Sequence, residues 1–173
     1  MLTLKMSFFK NLIWLGSPMI ISLGFLCGYI YFEDEFKMYF TIFYIIYAVF
    51  SILPVLFIFI SYFETNRGNE YVISNKGILR RQGDKETFYP KEDFKEIETV
   101  IARAKETDYR RFPIHFTNYN FVIVSMHDKR RIVLSCLLSG KLDTILQKHF
   151  SDIPRTTTAV IIPYISTDFS ELR

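Results

Sequence analysis

The sequence predicts an α+β membrane protein: an N-terminal two-helix transmembrane hairpin, then a small antiparallel β-barrel closed by a C-terminal helix. Three observations carry this. Asn11–Phe32 is an uncharged run of twenty-two residues, and Met38–Phe63 is a second of twenty-six. From Tyr71 the pattern changes to short alternating runs separated by turn residues at nearly regular intervals, as in an antiparallel sheet or barrel.

The first run has the length of a membrane span and follows Lys5 and Lys10. A basic start before an apolar core also marks a cleaved signal peptide. This run is too long for that role, and Gly24, Phe25 and Leu26 before Cys27 lack the small pair of a lipoprotein cleavage site. Gly24 and Gly28, with Gly16 and Ser17 further up, give one helix face that lets another backbone approach. That backbone is the second span or, alternatively, a GxxxG dimer partner. The connector Glu33–Lys37 is short and acidic, so the spans form a tight hairpin.

A hydrocarbon core about 30 Å thick asks for about 20 apolar residues, and Met38–Phe63 exceeds that. At about 1.5 Å per residue it reaches about 39 Å, long enough to tilt. Tyr39 and Tyr62 fall where interfacial anchors belong. Pro54 lacks an N–H and frees a carbonyl near Phe50, which predicts a kink there. Lys5, Lys10, Arg67 and Lys76 outnumber the single connector lysine, Lys37. Basic residues stay inside, so both termini belong on the cytoplasmic side of the inner membrane.

The rest of the chain divides into a linker, 64–70, a β domain, 71–150, and a tail, 151–173. From Glu64 onward eighteen Lys and Arg stand against fifteen Asp and Glu, so this part carries the whole net charge of +3. That suits a domain beside an anionic surface, and equally an ordinary soluble domain. Tyr71–Ser74 and Ile78–Gln82 flank Asn75-Lys76-Gly77, where Gly supplies a positive φ. Gly83-Asp84-Lys85 turns into Glu86–Tyr89, which Pro90 ends. In Lys91–Glu106 a helical stripe competes with the strand-forming Thr99-Val100-Ile101, and the reading adopted is one helical turn, then a strand from about 98 to 103. Phe112, Ile114 and Phe116 alternate with polar residues and Pro113, and Phe121–His127 and Arg131–Leu137 follow as further strands. Ser139 caps a helix over Gly140–Phe150 whose stripe is Leu142, Ile145 and Leu146, with His149 or Phe150. Beyond Pro154, Ala159–Ile162 offers an edge strand.

Seven short strands and one amphipathic helix resemble a pleckstrin-homology-like (PH-like) barrel. YVISNKGILRRQGDKETFYPKEDFKEIETV is similar to the opening of bacterial PH-like domains: strand, Asn-Lys-Gly turn, strand, then an aromatic-Pro step into a short turn and the next strand. DKRRIVLSCLLSGKLDTILQKHF resembles their final hairpin and closing helix. Many such domains follow two membrane spans in one chain, including the YcxB-like group. The resemblance covers Tyr71–Phe150 and implies a binding module; the fold hosts lipid, peptide and protein ligands alike.

Catalytic patterns are missing from the sequence. His115, His127 and His149 fall on different elements, and there is no His-x-x-x-His, Cys-x-x-Cys, Gly-x-Ser-x-Gly or phosphate-cradling loop. The expectation is no enzyme, no cofactor and no metal, and Cys27 and Cys136 stay unpaired. What remains is basic: Lys76, Arg80, Arg81, Arg110, Arg111, Lys129, Arg130 and Arg131. Neighbours on a strand face opposite ways. If Lys76, Arg80 and the Lys129 turn meet at one end of the barrel, they form an anion site for lipid headgroups or a phosphorylated ligand; solvated strand ends are the plain alternative. Acids interleave with the bases, which argues against nucleic acid. Two functions follow. One is a membrane-anchored cytoplasmic PH-like module docking a protein partner or anionic headgroups. The other is a membrane effector whose β-barrel senses a cyclic nucleotide and drives the spans to oligomerise and breach the membrane, as in antiphage signalling.

Overall fold

A computed structural model describes residues 1–6, 15–32, 34–103 and 119–165. The chain opens with a strand, β1 (Leu2–Lys5), ahead of both apolar runs. Helix α1 (Gly16–Tyr31) follows, then α2 (Asp34–Tyr47), which passes through a π-helical turn, Ala48–Ile52, into α3 (Leu53–Asn66). The π turn lies just before Pro54, where the sequence predicts a kink. There the N–H of Leu53 donates to the carbonyl of Ala48, five residues back. A one-residue expansion is one way a helix accommodates a proline that cannot donate.

The contacts run in opposite senses along α1 and α2. The Phe32 ring stacks on Phe40, and Phe25 lies against Tyr44 and Tyr47. At Gly28 a Cβ would meet the Phe40 ring, whereas Gly24 and Gly16 face open space. The expected small-residue face is thus used at one glycine.

Among the described residues seven more strands follow: β2 (Asn69–Ser74), β3 (Gly77–Gln82), β4 (Lys85–Pro90), β5 (Phe94–Ala102), β6 (Asn120–Met126), β7 (Arg131–Ser135) and β8 (Arg155–Val160). They form two four-stranded sheets, A in the order β1-β2-β3-β4 and B in the order β7-β6-β5-β8. The closed barrel expected from the sequence is not formed among the described residues. β8 pairs in parallel with β5, from Ile97↔Arg155 to Ala102↔Val160, and takes the edge that β4 would need. The expected edge strand thus exists, but earlier than Ala159–Ile162 and parallel. The predicted linker shrinks to Arg67-Gly68, because α3 runs to Asn66 and β2 starts at Asn69. The helical turn is Lys91–Asp93, and the strand after it starts at Phe94, sooner than read. The strand read at Phe112–Thr117 lies outside the described residues.

Between the sheets sits one core, built from Leu4, Tyr71, Ile73 and Ile78 on one side and Ile97, Val122, Val124 and Leu134 on the other. Helix α4 (Leu142–His149) closes it with Leu142 and Leu146, and Phe150 follows, edge-on to Phe94. The helix is shorter than read from sequence. Ser139 still serves its start, its carbonyl accepting the N–H of Leu142 and its hydroxyl that of Lys141. β6 is apolar on both faces: Phe121 and Ile123 point the other way, into a second core with Val55, Ile58, Phe59 and Tyr62 of α3. Tyr62 is therefore no interfacial anchor. It is buried against sheet B, and its hydroxyl donates to the Pro163 carbonyl at 2.7 Å.

Candidate binding site

The basic residues singled out in the sequence do not form one cluster. Lys76, in the β2–β3 turn, is exposed and makes no side-chain ion pair among the described residues; its carbonyl accepts the N–H of Lys91 at 3.0 Å. Arg80 lies four residues along β3, about 13 Å away at 3.3 Å per residue, at the end of sheet A beside α3. Its Nε donates to Asn69 Oδ1 at 3.0 Å and its Nη2 to Gln82 Oε1 at 2.9 Å. Arg81 is held by Glu86 at 2.7 Å, with Glu70 at 3.9 Å. Arg110 and Arg111 lie outside the described residues.

Lys129, Arg130 and Arg131 follow β6. Lys129 sits at φ 73 in the turn, exposed and without a side-chain ion pair among the described residues. Arg130 bonds Asp128 at 2.6 Å and lies 5.6 Å from the centre of the Tyr89 ring, with Asp93 at 4.0 Å. The backbone N–H of Arg130, and then its guanidinium, hold the Asp128 carboxyl below the usual carboxylate range. Lys76 and the Lys129 turn do approach one end of the fold, because the Lys91–Asp93 turn touches both. Lys91 donates to Lys76, and the N–H of His127 donates to the Asp93 carbonyl at 3.0 Å. At this end carboxylates partner Arg130 and Lys91: Lys91 bonds Asp152 at 2.6 Å and depresses its pKa.

The larger concavity lies on the outer face of sheet B, a groove of about 740 Å³ beside the tail. Its floor is Val100, Phe121 and Ile123, and its far wall is Val160, Ile162 and Tyr164. Lys129 and Arg131 of the predicted set line it, joined by Lys95 and His127, which sequence reasoning did not select. Glu96 and Glu98 line it too, accepting bonds from Thr156 at 2.7 Å and Thr158 at 2.6 Å. The period-2 alternation of β6 was the available signal, since it leaves Phe121, Ile123 and Ser125 on one face. An apolar floor with charges of both signs at its rim suits an extended, mixed-polarity ligand better than a lone phosphate.

Among the described residues no three His, Cys, Asp or Glu side chains converge to hold a metal. His149 reaches Asn75 instead, Nδ1 to Oδ1 2.6 Å. Cys27 and Cys136 are both free thiols.

A family described as PH domain matches residues 3–147, well over half of the chain. No curated protein and no solved structure matches it.

Proposed function

The chain belongs to the PH-domain family, and on that premise we propose a membrane-anchored binding module of the two-span kind found in the YcxB-like group. Residues 15–54 hold it at the inner membrane, both termini are cytoplasmic, and the sheet B groove docks a protein partner without catalysis. One observation carries the anchoring: a segment apolar on its outer faces has both its ends built into a single domain. β1 precedes the helices and β2 follows them, and the two strands pair from Leu2↔Ile73 to Lys5↔Glu70. Helices between paired strands must leave and return on the same side, so an even number of crossings fits.

The lengths agree. The apolar helix Phe36–Asn66 has 31 residues, and only 17% of its most apolar stretch is buried. From Val55 onward one face packs on sheet B. That leaves Phe36–Pro54, about 28 Å at 1.5 Å per residue, for a hydrocarbon core of about 30 Å. α1 is shorter, about 24 Å, a mismatch that local thinning of the bilayer accommodates at small cost. Met19, Ile20, Leu23, Ile45 and Phe50 are among the large apolar side chains that these helices leave exposed. Water would penalise that surface by about 25 cal/mol per Å².

For the ligand, the mixed rim and apolar floor of the groove favour a protein segment over headgroups, and Arg81 and Arg130 are already ion-paired with carboxylates. The closing helix α4 and the family match favour this module over an all-strand sensor of cyclic nucleotides. Two measurements test the proposal. The full chain should stay in the membrane pellet after alkaline carbonate extraction; release into the supernatant would refute the anchoring. A photo-crosslinking residue at Ser125, in the groove, should give discrete protein adducts in cells that are absent when it replaces Asp84. Adducts to lipid alone would overturn the protein-partner reading.

A further inference from the structure

The tail after β8 is bound to the long helix at three points. The Tyr62 hydroxyl donates to the Pro163 carbonyl at 2.7 Å, the Ser61 hydroxyl to the Ile165 carbonyl at 3.0 Å, and the Tyr164 ring stacks on Phe57 with centroids 4.9 Å apart. The N–H of Tyr164 also turns inward, to the Ile162 carbonyl at 2.9 Å. The carbonyls of Pro163, Ile165 and Ile162 and the N–H of Tyr164 thus have partners within the protein. Its tip shows the solvent two isoleucines, Ile161 at 74% and Ile162 at 41% exposure. Phe57, on which Tyr164 stacks, is itself exposed on α3, so exposed apolar surface continues from the helix onto the tail.

We propose that Ile161 and Ile162 form an interfacial foot, a second contact of the domain with the bilayer, seated among the headgroups of the leaflet that α3 leaves. The inference rests on the anchoring reading above and adds a surface to it. Position argues for lipid as the occupant. Phe57 is three residues past Pro54, about 4.5 Å along the helix axis, and each headgroup layer is about 5–7 Å thick. Tyr164, stacked on Phe57, therefore lies in that layer, and the adjoining isoleucines reach the boundary where interfacial apolar side chains settle. These hydrogen bonds lower the cost of placing the loop there, because the groups that make them do not leave water unpaired. With helix and tail both on the leaflet, the domain keeps a fixed tilt, and the groove walled by Ile162 and Tyr164 opens beside the membrane.

The test uses the full chain in bilayers, with the single tryptophan, Trp14, replaced by phenylalanine and one new tryptophan placed at a time. Ile161→Trp and Ile162→Trp should emit at shorter wavelength than Asp84→Trp and lose emission in lipids brominated near the headgroup. Asp84 is the contrast because Gln82↔Asn69 pairing sets its turn beside the far end of α3. Ile45→Trp, in α2, reports on anchoring itself through lipids brominated deep in the chains. Quenching at 45 without quenching at 161 and 162 overturns the foot and leaves the anchor. No quenching at 45 overturns the anchor and the foot with it. Equal quenching at Asp84 overturns the foot as a specific contact.

Discussion

Asn66 is the residue through which the long helix and sheet B are joined most directly. It is fully buried. Its Nδ2 donates to the Val133 carbonyl at 3.0 Å and its Oδ1 accepts the N–H of Ser135 at 2.9 Å. β7 is an edge of sheet B, and the amide stands in for the missing neighbouring strand, matching one carbonyl and one N–H two residues apart. In Asn66→Leu both backbone groups stay buried without partners. Each such group costs about 1–3 kcal/mol, so the loss is about 2–6 kcal/mol. For a chain of this size, about 1 kcal/mol moves the melting temperature by about 2–4 °C, which puts the shift at about 4 °C or more. Thermal unfolding of the full chain in nanodiscs measures it, and hydrogen exchange at the Ser135 amide locates it, since that N–H should lose protection. A shift under about 1 °C with unchanged protection would refute the idea that the amide joins the helix to the sheet.

Gly77 at φ 147 lies against Tyr89, and a Cβ would run into the Tyr89 carbonyl oxygen; Gly77→Ala should therefore destabilise by about 1–3 kcal/mol or more, read from the same melts. Leu142→Ala empties a fully buried site between α4 and the sheets and should cost about 2–5 kcal/mol; an unchanged melt would detach α4 from the core. Asp128 and Asp152 have depressed pKa values, so their contribution is complete above the unfolded value near 3.9 and fades as pH falls through the folded ones. Between about pH 4 and pH 2 the Asp128→Asn, Asp152→Asn pair should lose less stability than the parent, and a parallel decline would remove this assignment. Burial raises the Tyr71 and Tyr119 hydroxyls, so stability they contribute below about pH 10 should decline above it; in alkaline melts Tyr71→Phe should flatten that limb.

The parts of the fold that were legible in the sequence are those specified locally. Turn glycines, the alternation in β2, β3 and β6 and the stripe of α4 each lie within a few residues of their cause. Gly77 and Gly83 do take positive φ at the turns where they were expected. Long-range pairing was not legible. Leu2–Lys5 is too short to read as a strand, and it becomes one because β2, some sixty-five residues later, offers a free edge in register. β8 is similar: Thr156-Thr157-Thr158 has strand propensity, but nothing local says it will lie parallel to β5 and thereby keep the sheets from closing into a ring. The second apolar run misled for a related reason. A helix apolar all round is read as lipid-facing all round, yet Val55, Ile58 and Tyr62 have found a protein face whose own apolar residues, Phe121, Ile123 and Val133, belong to strands read only for the opposite core.

The candidate site shows where reading by adjacency stops. Arg80-Arg81 and Lys129-Arg130-Arg131 look like clusters because their charges add along the chain, but a strand sends neighbours to opposite faces and a sheet brings in carboxylates from elsewhere. Glu86, directly opposite Arg81 in the β3–β4 register, takes that guanidinium, and Asp128 takes Arg130 from within its own turn. Arg80 holds Asn69, whose Nδ2 in turn reaches the Thr65 carbonyl at 3.2 Å, so this cation fastens the end of α3 to sheet A. Exposed ion pairs of this kind are worth about 0–1 kcal/mol, too little to make the fold yet enough to neutralise what an anion would have sought. Lys129 and Arg131 reach the rim of a groove whose floor is apolar, and that floor was written in β6 as a run with hydrophobic residues on both faces. A strand apolar on both sides has two partners to satisfy. In this chain one is the intersheet core, and the other is the long apolar helix, which covers only part of the face and leaves the rest as the groove.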